Sequence, residues 1–281
     1  MISTASKYSL FILLVILFNK DLLSQEYLNK QFDLANNLYD NKEYFDAITE
    51  YKRLLFFNKG SEYLYSANFM IGMCYKNGAK LDDAIKYFSL ANANSSGDKE
   101  YYNSKIEIIK CNILRRTTEQ AILMIDELAK DKKYRNETDD LNYWRGWAYI
   151  FSDDWKKAAS EFNKIETGHQ LKKICEQTAG EQYSVEFAKI ISFLIPGAGQ
   201  VYTGNYLSGL MSLVWNGALI YFSVNSFIED RAFDGLITIG LFFRFHRGNI
   251  QNAEKYTLAK NVEISNKTLR YLQKNYQGPK P

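Results

Sequence analysis

Four alanines set the frame of this chain. Ala47, Ala84, Ala121 and Ala158 stand 37 residues apart each time, and four places after each comes a large apolar residue: Tyr51, Phe88, Ile125 and Phe162. A spacing of four puts both members of each pair on one helical face. Upstream of each alanine lies another apolar run at helical spacing: Leu34-Ala35 with Leu38, Ile71-Gly72 with Tyr75, Ile108-Ile109 with Asn112, and Gly146 with Tyr149. Polar breaks divide each unit: Asp40–Lys42, Lys76–Gly78, Arg115–Thr118 and Ser152–Asp154. Each unit therefore reads as helix, tight turn, helix. Such a unit cannot bury its apolar face alone, so neighbours must stack. The first 195 residues contain no proline, which leaves these helices unbroken.

The pattern resembles the tetratricopeptide family, which pairs Leu-Gly and Tyr on a first helix with Ala-x-x-x-Phe on a second. Ile71-Gly72-x-x-Tyr75 with Ala84-x-x-x-Phe88 and Ala91 matches it, as does Gly146-x-x-Tyr149 with Ala158-x-x-x-Phe162. Small residues at Gly72, Ala84, Gly146 and Ala158 suit helices that cross closely. The period of 37 departs from the family's 34, and the closing proline is missing; Lys59 stands where the first unit would carry it. The resemblance covers about residues 28–168. It implies a concave face built from the first helices, lined by Phe32, Asn36 and Tyr39, by Phe69, Met73 and Lys76, and by Tyr143, Trp147 and Ile150. Aromatic and methionine side chains in such a groove anchor a peptide or a partner helix. The alternative for each is packing on a neighbouring unit.

Cys74 and Cys111 are also 37 apart, on neighbouring first helices. Stacked helices lie about 8–10 Å apart, farther than a disulfide reaches. With Cys175 they read as small buried apolar residues.

Composition changes near Ser184. Tyr206–Ile228 is 23 residues without a charge, or about 34 Å of helix, enough to cross a bilayer core. Weaker apolar segments flank it at Phe187–Ile195 and Ala232–Phe245. Between them, Pro196, Gly197, Gly199, Gln200, Tyr202 and Gly204 form a loop similar to the Gly-x-Tyr-x-Gly loops of small two-helix membrane domains in bacterial envelope proteins, some of which also carry tetratricopeptide repeats. Pro196 is expected to end a helix, the glycines to permit a tight reversal, and Tyr202 and Tyr206 to sit at a membrane interface. A phosphate-binding reading fails, because no third glycine and no Gly-Lys-Ser/Thr follow.

Residues 1–24 read as a signal peptide, with Lys7, the short apolar run Tyr8–Phe18 and Ser24 before the cut; an uncleaved anchor is the alternative. The far end, 249–281, reads as a basic amphipathic helix with a stripe of Leu258, Val262, Ser265, Leu269, Leu272 and Tyr276, lying on anionic lipid or packing on the bundle. Arg244, His246 and Arg247 favour the cytoplasmic side, which predicts three membrane crossings with residues 25–185 outside and the tail inside; two crossings are the alternative, which leaves Arg244 and Arg247 outside but spares the chain a short first crossing.

The expected fold is thus all-α: a tetratricopeptide-like helical-repeat solenoid (25–168), a connecting helix (169–185), a small transmembrane helical bundle (186–248) and the tail. Net charge is +3 overall, without the concentrated basic patch of a nucleic-acid binder. Two histidines and no nucleophile motif give no catalytic, metal or cofactor site. The expected role is a non-enzymatic scaffold held in a bacterial inner membrane, with a protein or peptide partner in the groove and lipid around the anchor. The alternative is a membrane-active factor in protein insertion, assembly or transport, regulated by the repeats.

Overall fold

A computed structural model describes residues 25–58, 60–165 and 168–281, and among these the chain is all-helical, with no strand. The expected signal peptide and Lys59 lie outside the described residues. The helices are α1 (25–40), α2 (Tyr44–Phe57), α3 (Leu64–Asn77), α4 (Leu81–Ala93), α5 (Asp98–Leu114), α6 (Thr118–Lys130), α7 (Thr138–Phe151), α8 (Trp155–Ile165), α9 (Gln170–Glu181), α10 (Val185–Leu194), α11 (Ala198–Tyr202), α12 (Tyr206–Ile228) and α13 (Ala232–Asn275), with a 3-10 turn at Lys132–Glu137. They form two compact units, one ending at Ser152 and the other running from Asp153 to Pro279.

In the first unit the 37-residue period is written into the backbone. Lys42, Ala79 and Arg116 adopt left-handed φ of 65°, 56° and 60°. After each, an amide reaches back five residues: Glu43 to the Leu38 carbonyl, Lys80 to that of Tyr75, Thr117 to that of Asn112, at 2.9–3.0 Å. This is the left-handed helix stop that satisfies orphan carbonyls. Asp153, one period on, has φ 63°. The side chains repeat too: Ala47, Ala84 and Ala121, with Tyr51, Phe88 and Ile125, are fully buried here, and Ala158 with Phe162 is fully buried in the second unit. At Gly72 the approach of α3 to α4 is so close that a Cβ would lie 2.7 Å from the Phe88 ring, so only glycine fits there.

Alternate helices of this unit are tied side by side. The Tyr39 hydroxyl accepts from Asn77 (3.0 Å), Tyr63 donates to Asn29, the Tyr65 hydroxyl donates to the Glu100 carbonyl (3.2 Å) and that of Tyr102 to Asp140 (2.8 Å). These bonds run α1 to α3, α3 to α5 and α5 to α7.

In the second unit α8 packs on α9, burying Trp155, Ala158, Ala159 and Phe162 together with Leu171 and Cys175. The apolar hairpin α12–α13 and the short α10 and α11 complete it. The tail expected as a separate helix from residue 249 is the continuation of α13, 44 residues without a break.

Cys74, Cys111 and Cys175 are free and buried, and burial pushes each thiol up to about 12. They are packing groups, silent as nucleophiles at neutral pH.

A left-handed backbone at a residue with a Cβ is strained, and at the α3–α4 turn the neighbouring Gly78 takes an ordinary φ of −81° while Ala79 takes the strained position. Ala79→Gly is therefore expected to raise stability by about 0.5–1 kcal/mol, read as a higher unfolding midpoint. A fall would mean that contacts of the alanine methyl outweigh the strain.

Candidate functional site

The proposed groove residues fall into two groups. Phe32, Asn36, Tyr39, Phe69, Met73, Lys76 and Tyr143 are half-buried, while Trp147 and Ile150 are 3% and 0% exposed. Side chains so enclosed have almost no surface to offer a partner. The pattern of α7 explains this: Leu141, Trp144, Trp147, Ala148 and Ile150 are all buried, so the helix is apolar around most of its girth.

Several of the others hold the unit together. Phe32 packs against the rings of Tyr51 and Tyr63 at 5.9 and 5.4 Å. Asn36 accepts a 2.6 Å bond from the Tyr51 hydroxyl. Phe69 stacks on Tyr65 and meets Phe88 edge-on, and Tyr143 meets Trp144 edge-on. Met73 carries no polar duty and remains half-open.

Lys76 leads to a feature the sequence reading missed. Its Nζ donates to Glu107 at 2.9 Å, and Lys110 donates to the other oxygen of the same carboxylate at 2.6 Å. Lys110 also stands 4.4 Å from the centre of the Trp144 ring, a cation–π contact. Burial works against the Glu107 charge, but the two lysines outweigh it and hold the carboxyl below its usual range. The cluster links α3, α5 and α7 and leaves one excess positive charge. Its signal was present in the period, since Lys110 follows Met73 by 37.

The glycine loop is a second candidate, and its geometry follows from one proline. Ser192 would give its carbonyl to the amide of residue 196, but Pro196 has none. The Asn249 side chain, from α13, supplies the missing donor at 2.8 Å. Its Oδ1 accepts from the Gly197 amide (2.8 Å) and from Gln200 Nε2 (2.9 Å). Ser192 Oγ accepts from the Gly199 amide (2.8 Å) and donates to Gln200 Oε1 (3.3 Å). Ser192, Gln200 and Asn249 are 0%, 0% and 2% exposed, so this is a closed, satisfied polar knot in an apolar setting. Each glycine has its own reason. Gly197 (φ 92°) and Gly204 (φ 83°) are left-handed; Gly199 lies so close to α10 and α13 that a Cβ would overlap Ala188, Ser192 and Ala253. Tyr202 accepts a 3.3 Å bond from the Ser184 amide and packs on Tyr183 and Phe187, whereas Tyr206 is exposed. Asn249, which ties the loop, was missed because nothing local marks it.

The three-crossing topology is corrected. It places residues up to 185 and the tail on opposite sides of a membrane. In the structure Trp155 Nε1 donates to Ser265 Oγ at 2.8 Å, Thr178 and Thr268 share a 3.1 Å bond, and Tyr183 exchanges two bonds with Asn261 at 2.8 and 2.9 Å. Were the apolar hairpin in a membrane, segments that touch would lie on one side of it, and any crossings between them would be even in number. These contacts also choose between the two readings of the tail. Ser265, Leu272 and Tyr276 are buried within the unit, and Leu258 and Val262 of the expected stripe are about half exposed.

Comparison with family models, curated proteins and solved structures finds no match to this chain.

Two substitutions test these sites. Glu107→Gln leaves two half-buried lysines without their counter-charge and should cost about 3 kcal/mol at neutral pH. The folded carboxyl titrates below its unfolded value of about 4.3. Its contribution is therefore complete above that pH and is lost as pH falls through the lower folded value. The variant and wild-type unfolding curves should draw together as pH falls through that lower folded value; a constant gap would remove the charge from the explanation. In the second unit, Asn249→Leu strands the Ser192 carbonyl and the Gly197 amide, and should cost more than about 3 kcal/mol, against little for Gln251→Leu on the exposed face. Equal unfolding midpoints would overturn the role of the knot.

Proposed function

We propose that this protein is a non-enzymatic scaffold of the bacterial cell envelope, in which a tetratricopeptide-like stack captures a protein or peptide and an apolar helical hairpin holds it in the membrane. The observation that carries the reading is the recurrence of one helix–turn–helix corner every 37 residues, with a left-handed residue at the same position and a buried alanine paired with a large apolar residue each time. Units of that kind extend a surface rather than enclose an active site. The half-open Met73 and the Lys76–Glu107–Lys110 cluster form the part of that surface that combines an apolar anchor with positive charge.

The anchor rests on α12, the one described helix long and apolar enough to cross a membrane. Most of its large apolar side chains are about half exposed or more, among them Leu207, Val214, Tyr221 and Ile228. An exposed apolar belt of this size suits lipid and not water. The first part of α13, from Ala232 to Phe243, returns beside it. Gly235 permits the close pairing, since a Cβ there would lie 2.7 Å from the Phe227 ring. In this arrangement α12 and the first part of α13 enter and leave the membrane as one hairpin, and the far half of α13 rejoins α8 and α9 on the side from which α12 started.

Full-length protein used to capture partners from a membrane extract should lose its specific partner on Met73→Glu and keep it on Trp215→Ala. The reverse outcome would assign the activity to the membrane helices, as in an insertion, assembly or transport factor. For the topology, single cysteines at Ser66 and Gln277 in a background without native cysteines should both react with a membrane-impermeant thiol reagent. Reaction of one alone would refute a hairpin that returns to the side it started from.

A further inference from the structure

A cavity of about 350 Å³ lies between the first half of α12 and the middle of α13. From α12 it is lined by Ser208, Ser212 and Asn216, one helical stripe at intervals of four. Facing them, Arg244, Gly248 and Asn252 form a second stripe at the same interval. The rings of Trp215 and Phe245, which also border it, stack at 6.2 Å. The lining holds hydroxyls, carboxamides and one guanidinium, and no carboxylate. Arg244 forms no ion pair among the described residues and is exposed at the rim. Asn216 is 1% exposed. Its Nδ2 donates to the Ser212 carbonyl at 2.7 Å, while its Oδ1 meets no donor among the described residues. A buried acceptor left this way is costly and calls for a donor from outside the chain.

The place matters as much as the composition. Arg244 is the first charged side chain after the apolar run that follows Asp234, so the cavity sits where the hairpin passes from apolar to polar chain. In a membrane that is headgroup depth. Its volume suits a small polar group and not a folded peptide.

We propose that this cavity binds the headgroup of a phospholipid, its phosphate at Arg244 and a headgroup N–H or O–H donor directed to Asn216. The acyl chains then follow the half-exposed Met211, Trp215 and Phe245. Ethanolamine and glycerol headgroups carry such a donor; choline carries none. The inference rests on the membrane reading given above.

Native mass spectrometry of the full-length protein in detergent, titrated with ethanolamine, glycerol and choline phospholipids of identical chains, tests it. Wild type should bind the first two at least about fivefold more tightly than the third. Arg244→Gln should weaken all three, because any phosphate uses the guanidinium. A side chain at Gly248 would project into open space, so Gly248→Leu should fill the cavity and erase the headgroup preference while the protein still folds. Equal affinities for the three lipids, or a Gly248→Leu variant that keeps the preference, would overturn the site. Displacement of the lipid by millimolar inorganic phosphate would assign the cavity to free phosphate and refute the lipid. Carbonate washing of cell membranes separates the two levels: release of the wild-type chain would sink the membrane reading, whereas retention with no headgroup preference would sink this inference alone.

Discussion

Pro196 removes the amide that would close the last turn of α10, and the Asn249 carboxamide replaces it. Around that substitution the second unit is organised. Once Asn249 Nδ2 is committed to the Ser192 carbonyl, its Oδ1 faces the start of α11, where it accepts from the Gly197 amide and from Gln200. A short helix that would otherwise end in unpaired groups is thereby pinned to a long one. The glycines follow as a necessity of distance, since side chains at 197, 199 or 209 would collide with the facing backbone or with Ala188 and Val201. A polar knot costs nothing in an apolar surrounding only when every member is paired.

The first unit depends on a different constraint, the stop between paired helices. The left-handed residue there is Lys42, Ala79 or Arg116, three side chains with no shared chemistry. What they share is position, and the buried residues around them compensate the strain. Glycine would be the unstrained choice at each. The hydrogen bonds that join first helices differ in detail from period to period, so the stack is held by a repeated spacing and not by a repeated contact.

Much of this was legible in the sequence. Period, helix pairs and buried alanines could be read because packing imposes one spacing on side chains that lie near each other along the chain. The apolar length of α12 was legible for the same reason. The burial of the expected groove residues was legible only in part. Trp147 and Ile150 were placed by analogy with the faces of α1 and α3, yet α7 is apolar around most of its circumference, which argues for enclosure. Asn249 was invisible because its need arises 53 residues earlier, at Pro196. The seam of α13 was misread for a physical reason. Its buried positions include Asn249, Ala253, Thr257 and Ser265, small or polar residues that a search for apolar stripes passes over.

That seam has a geometric consequence. At about 100° per residue, contacts spaced by four residues advance about 40° around the helix at each step. Between Asn249 and Ser265 the contact line turns through nearly half a revolution, so α13 meets α10, then Tyr183, then α8 from successive directions. The helix is gripped like a shaft in a sleeve, and it is about 66 Å long. Tilting such a shaft by about 10° about its apolar end moves the other end by about 11 Å. In the membrane arrangement proposed above, a change of bilayer thickness that tilts the hairpin by that angle would reach α8 and α9 at Ser265 and Thr268, about 50 Å along the shaft, as a displacement of about 9 Å.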